Sequence, residues 1–389
     1  MHANTLVQSL RLGLRVLCSL LLASAAAYAQ QGVTPRQILI GQNISLEGGK
    51  NEYGTAVLDG INAYLQEANA SGGVHGRAIV LKTLDDDSKT GRAEANARKL
   101  IEEDKVFILF GSIEGGPTNA VMKVTNELKV PFFGPMAGSP TLRRPHQPLV
   151  FPVRTEHRDE FRVLLDYARL TGGKRIAFFR SDTEVGRQHL ENFRLVCEEL
   201  GLQMALDLPF KSDVSDEQIA AMAARLRAEK IDAVVNHGTA GIYEKLIRQT
   251  RALGATTQFF GVNSGSTQLA RRLGELAHGM VFAQVVPSPW QRQTDVTREY
   301  QKVFGRYKPE AGYSYGSLEG YLTAKALVMA LQLAGPHPTR ESFVQGLYKA
   351  GSLELSGLQA RFEPGNHRGL KLADLSIYRY EKDDKRFRH

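Results

Sequence analysis

From Gln37 onward, short β-branched apolar runs alternate with longer amphipathic stretches, the pattern of strands joined by crossover helices. Ile38 to Ile44, Ala78 to Leu84, Val106 to Phe110 and Pro131 to Gly134 predict strands. Tyr53 to Ala70, Gly91 to Glu103 and Pro117 to Leu128 predict the helices between and after them. In the first of these helices Ala56, Leu58, Ile61 and Leu65 recur at roughly helical spacing. A second series follows, with strands at Arg175 to Phe179, Gln203 to Phe210, Asp232 to Asn236 and Gln258 to Val262. Its helices are Glu184 to Leu200, Asp216 to Glu229 and Ile242 to Leu253. After a strand at Met280 to Val286 come helices near Thr294 to Phe304 and Tyr315 to Leu333, then a hairpin-like end from Leu358 to Tyr380.

Two similar βα series in one chain predict an α/β protein of two Rossmann-like lobes, each a parallel sheet flanked by helices. Crossings between the lobes are expected near Arg154, Val286 and Arg361, where strands meet Pro-rich or Gly-rich breaks. Lobe I then takes residues 33–154 and 286–361, and lobe II takes 155–285 and 362–389. Three connecting strands make a hinge on which two rigid bodies close with small backbone changes.

The first 29 residues read as a signal peptide. Arg11 and Arg15 precede an apolar run from Val16 to Ala27, and Ala27-Tyr28-Ala29 is a small-x-small cleavage pattern, with cleavage expected after Ala29. The run is shorter than the ~20 apolar residues that span hydrocarbon. Cys18 follows the bulky Leu17, which speaks against lipoprotein processing, so a soluble periplasmic protein is expected. Cleavage leaves Cys197 as the sole thiol and removes any intramolecular disulfide or cysteine-based metal cluster from consideration.

The remaining chain of about 360 residues is long enough for two lobes with their own cores. Its formal charge falls from +8 to +6 without Arg11 and Arg15, and the basic residues are spread among acids, which argues against nucleic acid. Even the tail cluster of Lys382, Lys385, Arg386 and Arg388 is interrupted by Glu381, Asp383 and Asp384, as in a solvated terminus.

In open parallel sheets, ligands bind beyond the carboxyl ends of the strands, where loops lead into helix N-termini. The loop Gly111-Ser112-Ile113-Glu114-Gly115-Gly116-Pro117-Thr118 places a proline at a first helical position and glycines where a ligand can approach bare backbone. Free N–H groups and the positive helix end there favour a carboxylate. Gly138-Ser139-Pro140 repeats the arrangement. Ser181-Asp182-Thr183-Glu184, Gly238-Thr239-Ala240-Gly241 and Asn263-Ser264 hold corresponding strand ends in the second series and would line the opposite wall. The same residues also suit plain helix capping. Glu47 and Glu114 could hold a cationic group of a ligand or be solvated.

Catalysis finds little support, since the sequence has no His-Glu-x-x-His pair, no phosphate-binding loop and no Gly-x-Ser-x-Gly turn, and a hydrolase is the weakest candidate. Gly48-Gly49-Lys50 fails as a nucleotide loop, because Ile44 stands where its first glycine belongs and Asn51 where Ser or Thr should follow. The histidines are scattered, and His75, His157 and His237 are expected at the surface or at caps and not as metal ligands. No cofactor is expected.

The chain resembles the leucine/isoleucine/valine-binding proteins, periplasmic receptors of ABC importers with the type I binding-protein fold. The resemblance rests on Ile38-Leu39-Ile40-Gly41-Gln42, Tyr53-Gly54, Ala68 to Arg77, Leu84 to Asp87, Val130 to Pro135, Lys174 to Ala177 and Ile231 to Val235. It implies a monomeric, non-catalytic receptor that takes a small polar molecule between its lobes and hands it to a permease. By position it implies that Tyr53 packs on the ligand, that Gly115 and Gly116 meet its carboxylate, and that Ala137 and Gly138 offer backbone contacts. Val185, Thr239 and Asn263 would come from the other lobe; Thr118, Ser139 and Glu184 complete the expected set. The chain departs from amino-acid-binding relatives in lacking hydroxyls near Gly115 and Gly138, and a Tyr and Glu for the ammonium near Thr239 and Asn263. Ser88 and Glu114 fall where some relatives carry a disulfide. An ammonium left uncompensated in a closed cleft is costly. Either Glu47, Glu114, Asp182 or Glu184 replaces the lost carboxylate, or the ligand is not an α-amino acid. A ligand sensor that presents its closed form to a signalling partner is the alternative function.

Overall fold

The computed structural model describes residues 30–380 and 387–388, so the expected signal peptide and the tail at 381–386 lie outside the described residues. The first sheet contains β1 (Gln37–Ile44), β2 (Ala78–Asp85), β3 (Leu109–Phe110), β4 (Phe132–Phe133) and β5 (Val150–Phe151), in the order β2-β1-β3-β4-β5. Every adjacent pair is parallel. The crossovers include α1 (Glu52–Ala70), α2 (Thr90–Arg98), which runs on into a π-turn, and α3 (Gly115–Glu127). Parallel sheets are covered on both faces, which is why their strands read as nearly continuous apolar runs; Ile38, Ile40 and Ile44 of β1 are all fully buried.

The second series runs α4 (His157–Leu170), β6 (Arg175–Ser181), α5 (Glu184–Leu200), β7 (Gln203–Phe210), α6 (Asp216–Ala228), β8 (Ala233–His237), α7 (Ala240–Ala252), β9 (Gln258–Gly261), α8 (Ser266–Leu273) and β10 (Val281–Gln284). Side-chain caps start the helices where the sequence places them: Asn51 accepts from the Gly54 N–H, Thr183 from that of Gly186, and Ser215 forms a capping box with Gln218. Then follow α9 (Asp295–Tyr307), α10 (Tyr315–Leu333), α11 (Arg340–Ala350), a small antiparallel sheet of β11 (Ser352–Glu354), β12 (Gln359–Glu363) and β13 (Asn366–Gly369), and finally β14 (Asp374–Tyr378) and β15 (Phe387–Arg388). The second sheet has the order β15-β14-β10-β9-β8-β6-β7, antiparallel only at its β14 and β15 edge.

The fold is therefore α/β, with two parallel-sheet lobes. α10 follows the second sheet in sequence but packs on α1 beside the first. Three helices, α4, α8 and α11, have no counterpart among the predicted elements. α4 keeps helical spacing at Phe161, Leu164, Leu165 and Ala168, all buried, but charged residues fill the positions between. α8 is only eight residues long, and α11 buries only Phe343 and Leu347, so neither repeats its apolar face often enough to be read.

The chain passes from the first sheet to the second after β5, and again between β13 and β14. This last passage lies beyond the β12–β13 hairpin and not near Arg361. Phe362 packs against Phe133 and Phe151 and keeps the hairpin on the first sheet. The two passages are tied side by side: the Leu370 N–H donates to the Val153 carbonyl (2.6 Å), and the Thr155 hydroxyl donates to the carbonyls of Leu370 (3.2 Å) and Leu372 (2.7 Å).

Candidate ligand site between the lobes

The lobes touch at the beginnings of helices. α3 starts at Gly115, and the residue before it, Glu114, sits at φ 63° and provides no capping bond. The first-turn N–H groups of α3 therefore lack a side-chain acceptor at the cap. The Ser112 and Ser139 hydroxyls, both buried, have no hydrogen-bond partner. A Cβ placed on Gly115 would lie 2.7 Å from Cγ1 of Val185 on α5 and 2.9 Å from Oγ of Ser139. A side chain at Gly115 would have to displace Val185 and Ser139 where the two lobes approach, and the unpartnered Ser139 hydroxyl lies beside it.

A buried ionic network closes the other side. The Glu319 Oε2 accepts from Tyr53 Oη (3.1 Å) and from Asn263 Nδ2 (2.6 Å), so α10 links α1 to the loop after β9. Its Oε1 is buried without a hydrogen bond, with Arg154 Nη1 at 3.7 Å. Arg154 donates to Glu160 Oε2 (2.5 Å), which also meets His157 Nδ1 (2.6 Å), while Glu160 Oε1 accepts from the Asn263 N–H (2.8 Å). Arg154, Glu160 and Glu319 are at most 1 % exposed. Burial pushes both carboxyls up, against the pull of Arg154. Burial also pulls Arg154 down, but Glu160 and Glu319 together outweigh it and hold the guanidinium charged. Two carboxylates share one guanidinium, and one oxygen is left over.

Most of the expected residues lie along this boundary. Tyr53 is half-buried and reaches Glu319; Gly115 and Gly116 open α3; Ala137, Gly138 and Ser139 are buried, and Val185 faces Gly115. Gly138 packs on His157, whose ring a Cβ would approach to 2.5 Å, and its carbonyl accepts from the His157 N–H. Asn263 joins the network. Three residues do otherwise. Thr118 is buried, with its hydroxyl donating to the Ile113 carbonyl (3.2 Å), a local bond of the helix start. Thr239 is exposed before α7 and makes no capping bond. Glu184 turns outward, 71 % exposed and paired with Arg187 (3.0 Å).

Of the carboxylates considered as a replacement, Asp182 is likewise at the surface, beside Arg180 and Arg187. Glu47 and Glu114 both accept from the Ser88 hydroxyl, and Glu114 also accepts from Asn51 Nδ2 (3.0 Å). The buried carboxylate next to Asn263 is Glu319, which the sequence reading missed along with Arg154 and Glu160. One signal was present: Glu319 interrupts the apolar run Tyr315 to Leu322, and an unpaired acid is seldom placed inside a buried helix.

Glu114 carries a measurable consequence. Burial first, and then the nearby Asp86, push its carboxyl from 4.5 up to about 7. Below pH 4.5 the proton is held in both folded and unfolded chains. Between 4.5 and 7 only the folded chain keeps it, so stability falls as pH rises through that window. Glu114→Gln should therefore gain about 2 kcal/mol over the parent at pH 8 and almost nothing at pH 4.5. Urea melts at the two pH values read this; an equal gain at both would refute the assignment.

The histidine expectation also needs correction. His157 and His189 are buried and His237 half-buried, and the three rings pack together, because α4, α5 and the end of β8 meet there. Burial pulls all three imidazoles well below the ordinary range. His75 is exposed, as expected.

Two α/β lobes that meet over unpaired polar groups define a solute-binding protein. A family model for periplasmic binding proteins matches residues 37–385, and the chain belongs to that family. It is 27 % identical over 374 residues to Leu/Ile/Val-binding protein homolog 1 of Brucella abortus, covering 92 % of this chain and 95 % of that one. The solved structure of a possible leucine/isoleucine/valine-binding protein from Rhodopirellula baltica superposes with a TM-score of 0.82 at 25 % identity, covering 90 % and 96 %. An extracellular ligand-binding receptor from Verminephrobacter eiseniae gives 0.80 at 22 %, covering 91 % and 100 %. Among the described residues, no helix is long and apolar enough to cross a membrane.

Proposed function

We propose that this protein is the exported receptor of an ABC importer, and that it captures a zwitterionic amino acid or a close relative between its lobes for delivery to the permease. The observation that carries the amino-acid reading is the buried Oε1 of Glu319, which has Arg154 at 3.7 Å but no hydrogen bond. The family resemblance implies a Tyr and a Glu for the ammonium near Thr239 and Asn263; here Asn263 is bonded to a carboxylate brought in from α10. A cation placed at Glu319 balances the second carboxylate on Arg154. The anionic end of the ligand goes to the α3 amides at Gly115 and Gly116 and to the Ser112 and Ser139 hydroxyls, at a positive helix end. The name of the Brucella abortus relative points to the same ligand class. Export with cleavage after Ala29, action as a monomer, and closure about the crossings near Arg154, Val286 and the segment 370–373 belong to the same reading.

A thermal-shift panel on the mature protein in EDTA tests this. Amino acids should raise the melting temperature, as mass action requires of a ligand that binds only the folded state. Their deaminated acids should do so far less. Glu319→Gln should weaken amino-acid binding about 10- to 100-fold, corresponding to about 1.5–3 kcal/mol for a hydrogen bond to a charged group. Deaminated acids that stabilise the parent as well as the amino acids do would remove the case for an ammonium site.

A further inference from the structure

The three histidines that gather below the second-lobe wall come from three separate elements. His157 opens α4, His189 lies in the second turn of α5, and His237 ends β8. Their nearest ring nitrogens all lie within 4.8 Å of one another, and the rings of His189 and His237 are 3.6 Å apart between centroids. Histidines buried as core filler normally give their ring nitrogens to carbonyls or hydroxyls. Here both nitrogens of His189 and Nδ1 of His237 have no hydrogen-bond partner.

The third ring is held differently, in a way that fits ligation. His157 Nδ1 is 2.6 Å from Glu160 Oε2, which leaves Nε2 as its free lone pair. Glu160 is fixed in turn by Arg154 and by the Asn263 N–H. A carboxylate on the far nitrogen of a metal-bound histidine sets its tautomer and raises its basicity. The Arg154–Glu160 pair is neutral overall, so the guanidinium does not stand as an uncompensated charge beside an incoming cation. Phe161, edge-on to His189 and His237, excludes water from one side.

We propose that His157, His189 and His237 form a binding site for one divalent transition-metal ion of the zinc type, with Glu160 positioning His157. Neutral imidazoles select zinc, cobalt, nickel or copper over calcium and magnesium, which want oxygen ligands. Zinc–nitrogen bonds of about 2.0–2.1 Å put tetrahedral ligand nitrogens about 3.4 Å apart. The nitrogens lie within 4.8 Å of one another, so binding requires the three rings to draw together. Three protein ligands leave a fourth position for water or another group.

The test uses the mature protein, stripped with EDTA and dialysed. Cobalt(II) should bind at one equivalent with visible absorption bands of a nitrogen-bound, low-coordinate ion, and zinc should displace it. His189→Gln and His237→Gln should each weaken binding at least tenfold, while His75→Gln, at an exposed histidine, should leave it unchanged. X-ray absorption of the zinc-loaded parent needs no variant and should show three imidazole nitrogens at about 2.0–2.1 Å. An oxygen-only shell, the lack of any one-equivalent cobalt spectrum, or a spectrum that persists in both variants would overturn the site and leave a packed cluster of neutral histidines. Because the amino-acid panel is run in EDTA, its outcome and this one are independent.

Discussion

Arg154→Met should cost about 3–5 kcal/mol of folding stability at pH 7.5, one of the largest losses from a single substitution in this chain. Methionine fills much of the same volume, so the loss comes from charge and not from a cavity. Removing the guanidinium strands Glu160 and Glu319, both buried, by taking away the largest group that opposes their charge. Both carboxyls are already pushed up by burial, and Arg154 is the main group pulling them back. In the variant their protonation becomes easier still. Folded-state carboxyls raised above their unfolded values contribute stability at low pH that is lost as pH rises. The penalty should therefore shrink markedly between pH 7.5 and pH 5. Urea unfolding followed by circular dichroism at both values reads the effect, and a loss below 1 kcal/mol at pH 7.5 would show that the network does not hold the fold. Glu319→Gln in the Arg154→Met background should recover part of the loss, because one stranded charge is then absent.

The sequence carried the sheet strands and most crossover helices plainly, for a physical reason. Parallel strands such as Arg175–Ser181 are covered on both sides and must be apolar almost throughout, so β6 stands out as Ile176 to Phe179, all fully buried. The loops after β3, β4 and β9 were legible for a similar reason, since glycines and caps mark where strands hand over to helices. α4 was not legible, and its loss mattered most, because it carries His157 and Glu160. Its apolar face is regular but narrow, and local pattern does not reveal that Glu160 turns inward to meet Arg154 and the Asn263 N–H, with His157 bonded to it. Glu319 and His189 were hidden by distance along the chain. Tyr53 and Glu319 lie far apart in sequence and meet only because α10 returns to α1. Glu184 shows the converse: a polar residue at a helix start, well placed by pattern, faces solvent because the neighbouring Val185 takes the inward position.

That return of α10 to α1 depends on two glycines. A Cβ on Gly320 would lie 2.1 Å from the carbonyl oxygen of Val57 and 2.9 Å from its carbonyl carbon, and one on Gly60 would lie 1.9 Å from the Ser317 carbonyl oxygen. The obstacles are backbone atoms of the facing helix in both cases, so no rotamer change relieves them. Gly320→Val should force the helices apart. Adding bulk to a packed core usually costs about 1–3 kcal/mol, and the rigid obstacle together with the β-branched side chain places this substitution higher, at about 3–5 kcal/mol. Part of that loss is lost packing, since Tyr315, Leu318, Tyr321 and Leu322 of the same helix are all buried. Function should fall with it, because the neighbouring Glu319 would be drawn away from Tyr53 and Asn263. Gly91→Ala is the matched control: it lies in α2, a Cβ there meets nothing within 4 Å, and alanine in a helix should stabilise by up to about 1 kcal/mol. If calorimetry showed Gly320→Val melting within a few degrees of the parent and still responding to amino acids, the close approach of α1 and α10 could not be what holds Glu319 at the boundary between the lobes.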